Sequence, residues 1–159
     1  MRKDRLLVVL ALVLTAPTAA TAQSTAADSA VRGVVQTYLH GLKFNDTVSL
    51  AKAFWPEARL FFVGRDGKIA QLTQPKWYAM FAGSIGKEEK GDLRIASVDV
   101  TNDVASVKVV EDYPGSRYTD YLNLLRIDGR WWIVNKIYTM EDVPDEAPPH
   151  GVILSRSLC

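Results

Sequence analysis

Between Arg117 and Tyr138, apolar, β-branched and aromatic residues fall in two runs joined by Asp128-Gly129. Asp-Gly accepts the positive φ angles of a type I′ turn, so the pattern predicts a β-hairpin whose register counts outwards from the turn. Ile127 then faces Arg130, Leu124 faces Ile133, Leu122 faces Asn135, Tyr121 faces Lys136 and Asp120 faces Ile137. Alternation places Asp120, Leu122, Leu124, Trp131, Ile133, Asn135 and Ile137 on one face. Tyr121, Asn123, Leu125, Trp132, Val134, Lys136 and Tyr138 share the other, which is also too apolar for a solvated surface. Such a sheet needs a cover on each side.

Upstream the period changes. Val31, Val34, Val35, Tyr38, Leu39 and Leu42 form one helical stripe, entered from a polar leader (Gln23 to Ala27) through a cap at Asp28 or Ser29. Gly41 and the Asn45-Asp46 pair are expected to end this helix, and Asp46 to cap a short second one from Thr47 to Phe54, stopped by Pro56. Leu60–Val63 and Ile69–Leu72 flank Arg65-Asp66-Gly67-Lys68 as a second hairpin. Thr73 caps a third short helix with Pro75 in its first turn and Trp77 and Phe81 on one face. Gly83, Gly86 and Gly91, with Lys87 to Lys90 between the last two, read as an exposed connection. Strands at Leu93–Val100 and Val104–Tyr113 turn at Asn102-Asp103 and meet the first hairpin through Pro114-Gly115, making a meander. Counting back across that turn puts Glu111, Val109 and Val107 on the Asp120 face, with Asp112 opposite Arg117.

Of the 159 residues 48% are hydrophobic and 23% charged, which suits one globular domain with a core of its own. The first residues stand apart from it. Arg2, Lys3 and Arg5 precede an apolar run from Leu6 to Leu14, far shorter than the roughly 20 residues that span a bilayer. Ala20-Thr21-Ala22 supplies a small-x-small cleavage site, so residues 1–22 read as a signal peptide, and the mature chain as periplasmic or secreted with no membrane anchor. Residues 23–140 form the domain, and 141–159 a loosely held tail without periodicity. Cleavage leaves 16 basic against 17 acidic residues, net −1, with no basic patch for nucleic acid. Cys159 has no second cysteine to pair with, and His40 and His150 have no metal-ligand spacing, so no metal or other cofactor is expected.

Helix, short helix, hairpin, helix and then a long antiparallel meander is an α+β order. Within it stand Tyr38 and Gly41 late in the first helix, Asp46 after it, and a block from Asp120-Tyr121-Leu122 through Arg126, Asp128-Gly129, Trp131 and Ile133-Val134 to Lys136. On these residues the chain resembles the nuclear transport factor 2-like superfamily, and more narrowly its SnoaL-like and lumazine-binding families, over roughly Asp28 to Tyr138. The resemblance implies a cone: three helices from the N-terminal half cover the concave face of a strongly curved, mostly antiparallel sheet of about six strands, leaving a pocket at the wide end. It also implies a lumazine-type ligand and a homodimer through the convex face. That superfamily includes enzymes, ligand carriers and assembly modules, so function does not follow from fold.

Candidates for the concave face are Asp120, Asn135, Glu111 and Tyr118 from the sheet and Tyr38, Trp55, Trp77 and Phe81 from the helical side. Of these, all but Glu111 are taken as ligand-binding, and Asp120 as the candidate general acid or base, since a carboxylate among aromatics can hold a raised pKa. A structural role for Asp120, accepting hydrogen bonds from Asn135, Tyr38 or a backbone end, is preferred because buried carboxylates are usually paired. Lys136 is read as an interface lysine on the outer face. The resulting expectation is an exported, non-catalytic protein that binds a small apolar or aromatic molecule. A cofactor-free isomerase, cyclase or dehydratase using Asp120, and a purely structural dimerising module, are the alternatives. Binding is preferred because the sequence supplies one plausible acid or base, Asp120, but no convincing partner for it, whereas acid–base work usually shows two groups with separated pKa values.

Overall fold

The apolar stripe folds as α1 (Ala19–Lys43) in a computed structural model that describes residues 19–144, with side chains from residue 24. Residues 1–18 of the expected signal peptide, and the tail beyond 144 with His150 and Cys159, lie outside the described residues. The helix starts well before the expected cap. Its first turns are rich in alanine, the strongest helix former, and Asp28 lies inside it, ion-paired with Arg32 one turn on (Nε–Oδ1 2.7 Å). Nor does Gly41 end it. A Cβ there would lie 2.5 Å from Leu50 Cδ2, so Gly41 is the residue that lets the next helix approach. Asn45, at φ 51°, makes the left-handed exit instead. Asp46 then caps α2 (Thr47–Ala53), its Oδ1 accepting from the Val48 and Ser49 amides at 2.9 and 3.2 Å. Its pKa is lowered, chiefly by the hydrogen bond that the Ser49 hydroxyl donates.

Strand β1 (Phe54–Val63) leaves α2 directly and is longer than expected. Pro56 falls where its pairing is interrupted between Phe54 and Arg59, which is where a strand tolerates a residue without an N–H. The hairpin continues through β2 (Ile69–Thr73) into α3 (Gln74–Ala79), and Thr73 occupies the cap position without a side-chain cap bond. The meander is β3 (Asp92–Thr101), β4 (Val104–Tyr113), β5 (Ser116–Ile127) and β6 (Arg130–Asp142). Asp142 pairs with Ser116, so the ordered sheet runs slightly beyond the expected domain limit. The six strands form one curved sheet in the order β2-β1-β6-β5-β4-β3, antiparallel throughout except for the β1–β6 pair, and the helices close its concave side as an α+β cone.

The connection between α3 and β3 is not free. The carbonyls of Lys43 and Phe44 accept the Glu89 and Gly86 amides at 2.8 and 3.0 Å. Lys43 Nζ returns bonds to the Glu89 and Gly91 carbonyls at 2.6 and 3.0 Å. The end of α1, whose last carbonyls lack helical partners, thereby holds one wall of the cone.

The register of the β5–β6 hairpin departs from the count. Ile127↔Arg130 and Leu124↔Ile133 pair as the turn dictates, but the next pairs are Asn123↔Asn135, Leu122↔Lys136, Tyr121↔Ile137 and Asp120↔Tyr138. One extra β6 residue is inserted at Val134-Asn135, a β-bulge. Beyond it every side chain changes face. Lys136 and Tyr138, expected outside, turn into the cone, whereas Asn135 and Ile137, expected inside, turn out. The β4–β5 pairing has no such shift, so Glu111, Val109 and Val107 share the Asp120 face and Asp112 pairs with Arg117.

Candidate functional site

Four elements each send one polar side chain to a single buried point. The α1 stripe delivers Tyr38, β4 delivers Glu111, β5 delivers Asp120 and, because of the bulge, β6 delivers Lys136. Asp120 is 0%, Glu111 3% and Lys136 5% exposed. Lys136 Nζ lies 2.6 Å from Asp120 Oδ2 and donates to Tyr38 Oη at 2.8 Å. Tyr38 Oη also meets Asp120 Oδ2 in a short hydrogen bond and Glu111 Oε1 at 3.1 Å.

A phenol has one hydrogen, so Tyr38 can donate to only one of the two carboxyl groups. The other contact requires a proton on the carboxyl pair. Burial, followed by the charge of Asp120, pushes Glu111 up to about 8, which keeps that proton on Glu111 at neutral pH. Burial opposes the Lys136 ammonium, but Asp120 and Glu111 outweigh it and hold its pKa above the ordinary value. The Tyr38 phenol is raised well above its usual range by burial and then by Asp120, so it stays neutral. The Lys136–Asp120 ion pair at 2.6 Å, together with a protonated Glu111, makes the cluster neutral overall. Asp120 Oδ1 is left without a partner among the described residues.

Above this cluster opens a cleft of about 640 Å³. Trp77 and Phe81 stand on one wall with ring centroids 5.6 Å apart; Tyr118 and Tyr138 stand on the other at 6.4 Å. Glu111 and Lys136 reach its floor, and Glu88, Glu89 and Lys90 form part of its rim. A larger hollow of about 850 Å³ lies at the other end of the β4–β5 pair, beside Ala27, Ala30 and Trp131. It has only the surface Asp103–Arg126 pair at 3.8 Å and no buried charge, so the smaller cleft is the chemical one.

A family model described as "Putative lumazine-binding" matches residues 26–139. The chain belongs to this family. Solved structures with the same nuclear transport factor 2-like fold include a protein from Shewanella baltica, at TM-score 0.66 and 26% identity over 80% of this chain and 100% of that one. A second, from Silicibacter pomeroyi, has TM-score 0.63 and 27% identity over 76% and 98%. A ketosteroid isomerase-like protein from Erwinia carotovora shares the fold at TM-score 0.55 and 14% identity, over 71% and 95%. Among curated proteins, Aldolase FrzH from a Cladobotryum species is 34% identical over 53 residues, which is 33% of this chain; the match spans 42% of that relative.

In this lumazine-binding-family chain, Trp77, Phe81 and Tyr118 line the cleft, while Tyr38 and Asp120 lie beneath its floor. Trp55 does not reach it. Its ring packs edge-on against Trp132 at 5.8 Å, and its carbonyl accepts from Gln74 Nε2. Asn135 is on the outer face, accepting from Asn123 Nδ2 at 3.0 Å, so it is no partner of Asp120. The missed residues are Lys136, Tyr138 and the role of Glu111. The adjacent polar residues Asn135-Lys136 interrupt an apolar strand, but alternation alone puts one on each face without saying which. Among the described residues no group of three or more His, Cys, Asp or Glu could hold a metal ion, and no helix is long and apolar enough to cross a membrane.

Proposed function

We propose that this chain is an exported, non-catalytic protein that binds a planar aromatic small molecule in the 640 Å³ cleft. The observation that supports it is the pairing of two aromatic walls with a polar floor, the usual composition of a small-molecule pocket. The family description favours a pteridine-type ligand. Titrating planar bicyclic compounds against intrinsic tryptophan fluorescence tests it, because Trp77 lines the cleft. Quenching that Phe81→Ala weakens, at unchanged melting temperature, is the expected result; no response from any planar compound sinks the reading. Export is tested by mass spectrometry of the mature N-terminus, expected at Gln23.

A second copy is proposed to cover the outer sheet face, since α1, α2 and α3 all occupy the other side. Tyr121, Leu125 and Ile137 are exposed there beside Trp132, in place of the inward-turned Lys136 and Tyr138. Light scattering of Trp132→Glu, expected to be monomeric, checks this.

A second reading is a cofactor-free proton-transfer enzyme. It is favoured by Glu111 and Asp120, two buried carboxyls that both meet Tyr38 Oη, the first with a raised pKa, and by the aldolase relative. Glu111, which reaches the cleft, would then be the proton carrier rather than Asp120. Deuterium exchange at the α-carbon of an enolisable cyclic ketone, followed by NMR, should be faster with the protein than without it and be lost in Glu111→Gln.

A further inference from the structure

The cluster beneath the cleft has donor capacity to spare. An ammonium has three hydrogens in a tetrahedral array, and Lys136 uses two, on Asp120 Oδ2 and Tyr38 Oη. No hydrogen-bonded oxygen or nitrogen takes the third among the described residues; the ammonium instead lies beside the rings of Tyr38, Trp77 and Tyr138, and it lines the cleft while almost wholly buried. A ring face is a weaker partner for an ammonium hydrogen than an oxygen, so a ligand oxygen at the cleft floor would gain a charge-assisted hydrogen bond. The aromatic walls meanwhile select a flat molecule. Trp77 and Tyr138 both flank the ammonium, with Nζ 5.5 and 4.8 Å from their ring centroids, so a ring slotted between the walls would bring its edge to Nζ.

On the reading that the cleft binds a planar aromatic molecule, we infer that Lys136 grips a ring oxo oxygen of that ligand, and that binding requires the carboxyl pair beneath to keep its proton. Glu111 and Lys136 both contact Tyr38 Oη, at 3.1 and 2.8 Å, which puts them within the roughly 4–6 Å over which one charge strongly affects another. While Glu111 is protonated, Asp120 alone balances the ammonium. Once Glu111 ionises, the cluster carries a net negative charge and repels an electron-rich oxygen at the cleft floor.

Several other groups face Glu111. Its own strand brings Tyr113, whose hydroxyl lies 3.4 Å from Glu111 Oε2, and β5 brings Tyr118 as its cross-strand partner. The segment before β3 contributes Glu88, Glu89 and Lys90 at the rim, and β3 contributes only the uncharged Leu93 opposite it. Tyr113 is raised by burial and then by Glu111, and Tyr138 is raised by burial, so both stay neutral through the range in which Glu111 titrates.

The test uses N,N-dimethyllumazine, which has both ring oxo groups and no ionisable N–H, and quinoxaline, a bicycle without oxo groups, as probes of tryptophan fluorescence. At pH 7 the oxo compound should bind the wild type about tenfold or more tightly than quinoxaline, the size of a hydrogen bond to a charged donor. With Glu111 titrating at about 8, wild-type affinity for the oxo compound should fall about tenfold between pH 7 and 9. Glu111→Gln, a neutral isostere, should bind equally at both pH values. Equal affinity for the two probes, or a pH dependence that survives in Glu111→Gln, overturns the inference while leaving the cleft as a planar-ligand site. Failure of both probes to bind overturns the ligand reading and the inference with it.

Discussion

The two halves of the β5–β6 hairpin, on either side of Val134-Asn135, are built on different principles. Near the turn, Leu124, Trp131 and Ile133 are buried apolar side chains whose stability comes from area removed from water, a non-directional effect that tolerates small changes of shape. Beyond the bulge, Asp120 and Lys136 occupy the same inner face with the same degree of burial, but each is held by directional bonds to a named partner. An apolar half loses stability in proportion to the atoms removed. The charged half behaves as a unit, because removal of one member leaves another buried and unpaired. The cleft floor belongs to the second half, so ligand chemistry in this protein is carried by the less forgiving part of the sheet.

The sharpest contrast between the halves comes from Lys136→Met, which strands the Asp120 carboxylate and should cost about 3–5 kcal/mol in denaturant melts. Adding Asp120→Asn removes the stranded charge, so the double variant should be more stable than Lys136→Met alone. If the two changes simply add, the charged half is no unit. A pH series separates the halves next. The folded-state pKa of Glu111 is raised from 4.5 to about 8, so the folded chain binds the extra proton. Its stabilising contribution is complete below 4.5 and is lost as pH rises through about 8. Melting temperatures of the wild type should therefore fall from pH 5 to pH 9 more steeply than those of Glu111→Gln.

In the apolar half, Ile133→Val should cost about 0.5–1.5 kcal/mol, the same at pH 6 and pH 9. The smallest effect is expected from Asn135→Ala, within about 0.5 kcal/mol, because the side chain lies on the outer face against Asn123. A cost for Asn135→Ala as large as that of Lys136→Met would return Asn135 to the interior and remove the bulge.

Much of this molecule is legible from local chemistry. The helical stripe of α1, the Asp46 cap, the Asp-Gly turn with Asp128 and Gly129 at φ 50° and 79°, and the bounds of β4 all follow from residues close together in the chain. Periodicity and turn preference act over a few residues, and so they survive reading in one dimension. The motif from Asp120 to Lys136 lies within the residues 26–139 that match the family model. The places where local reading failed have a common cause. Gly41 looks like a helix end until Leu50 is seen against it, and the α3–β3 connection, exposed as expected, gives no local sign that the carbonyls of Lys43 and Phe44 hold it. Trp55 looks like a pocket wall until Trp132 is found beside it.

The bulge is the largest of these differences. A strand's faces are a parity, and one inserted residue inverts the parity of everything beyond it. Nothing within β6 alone decides whether Lys136 turns in or out. What decides it is Tyr38 from α1 together with Asp120 and Glu111 from neighbouring strands, a hydrogen-bonding environment in which a buried ammonium is satisfied and a buried Asn135 would not neutralise the carboxylate. The sequence by itself therefore determined the elements, their order and the family. Only the tertiary structure decided which polar residues meet at the cleft floor, because that choice depends on partners 73 to 98 residues away from Tyr38 along the chain.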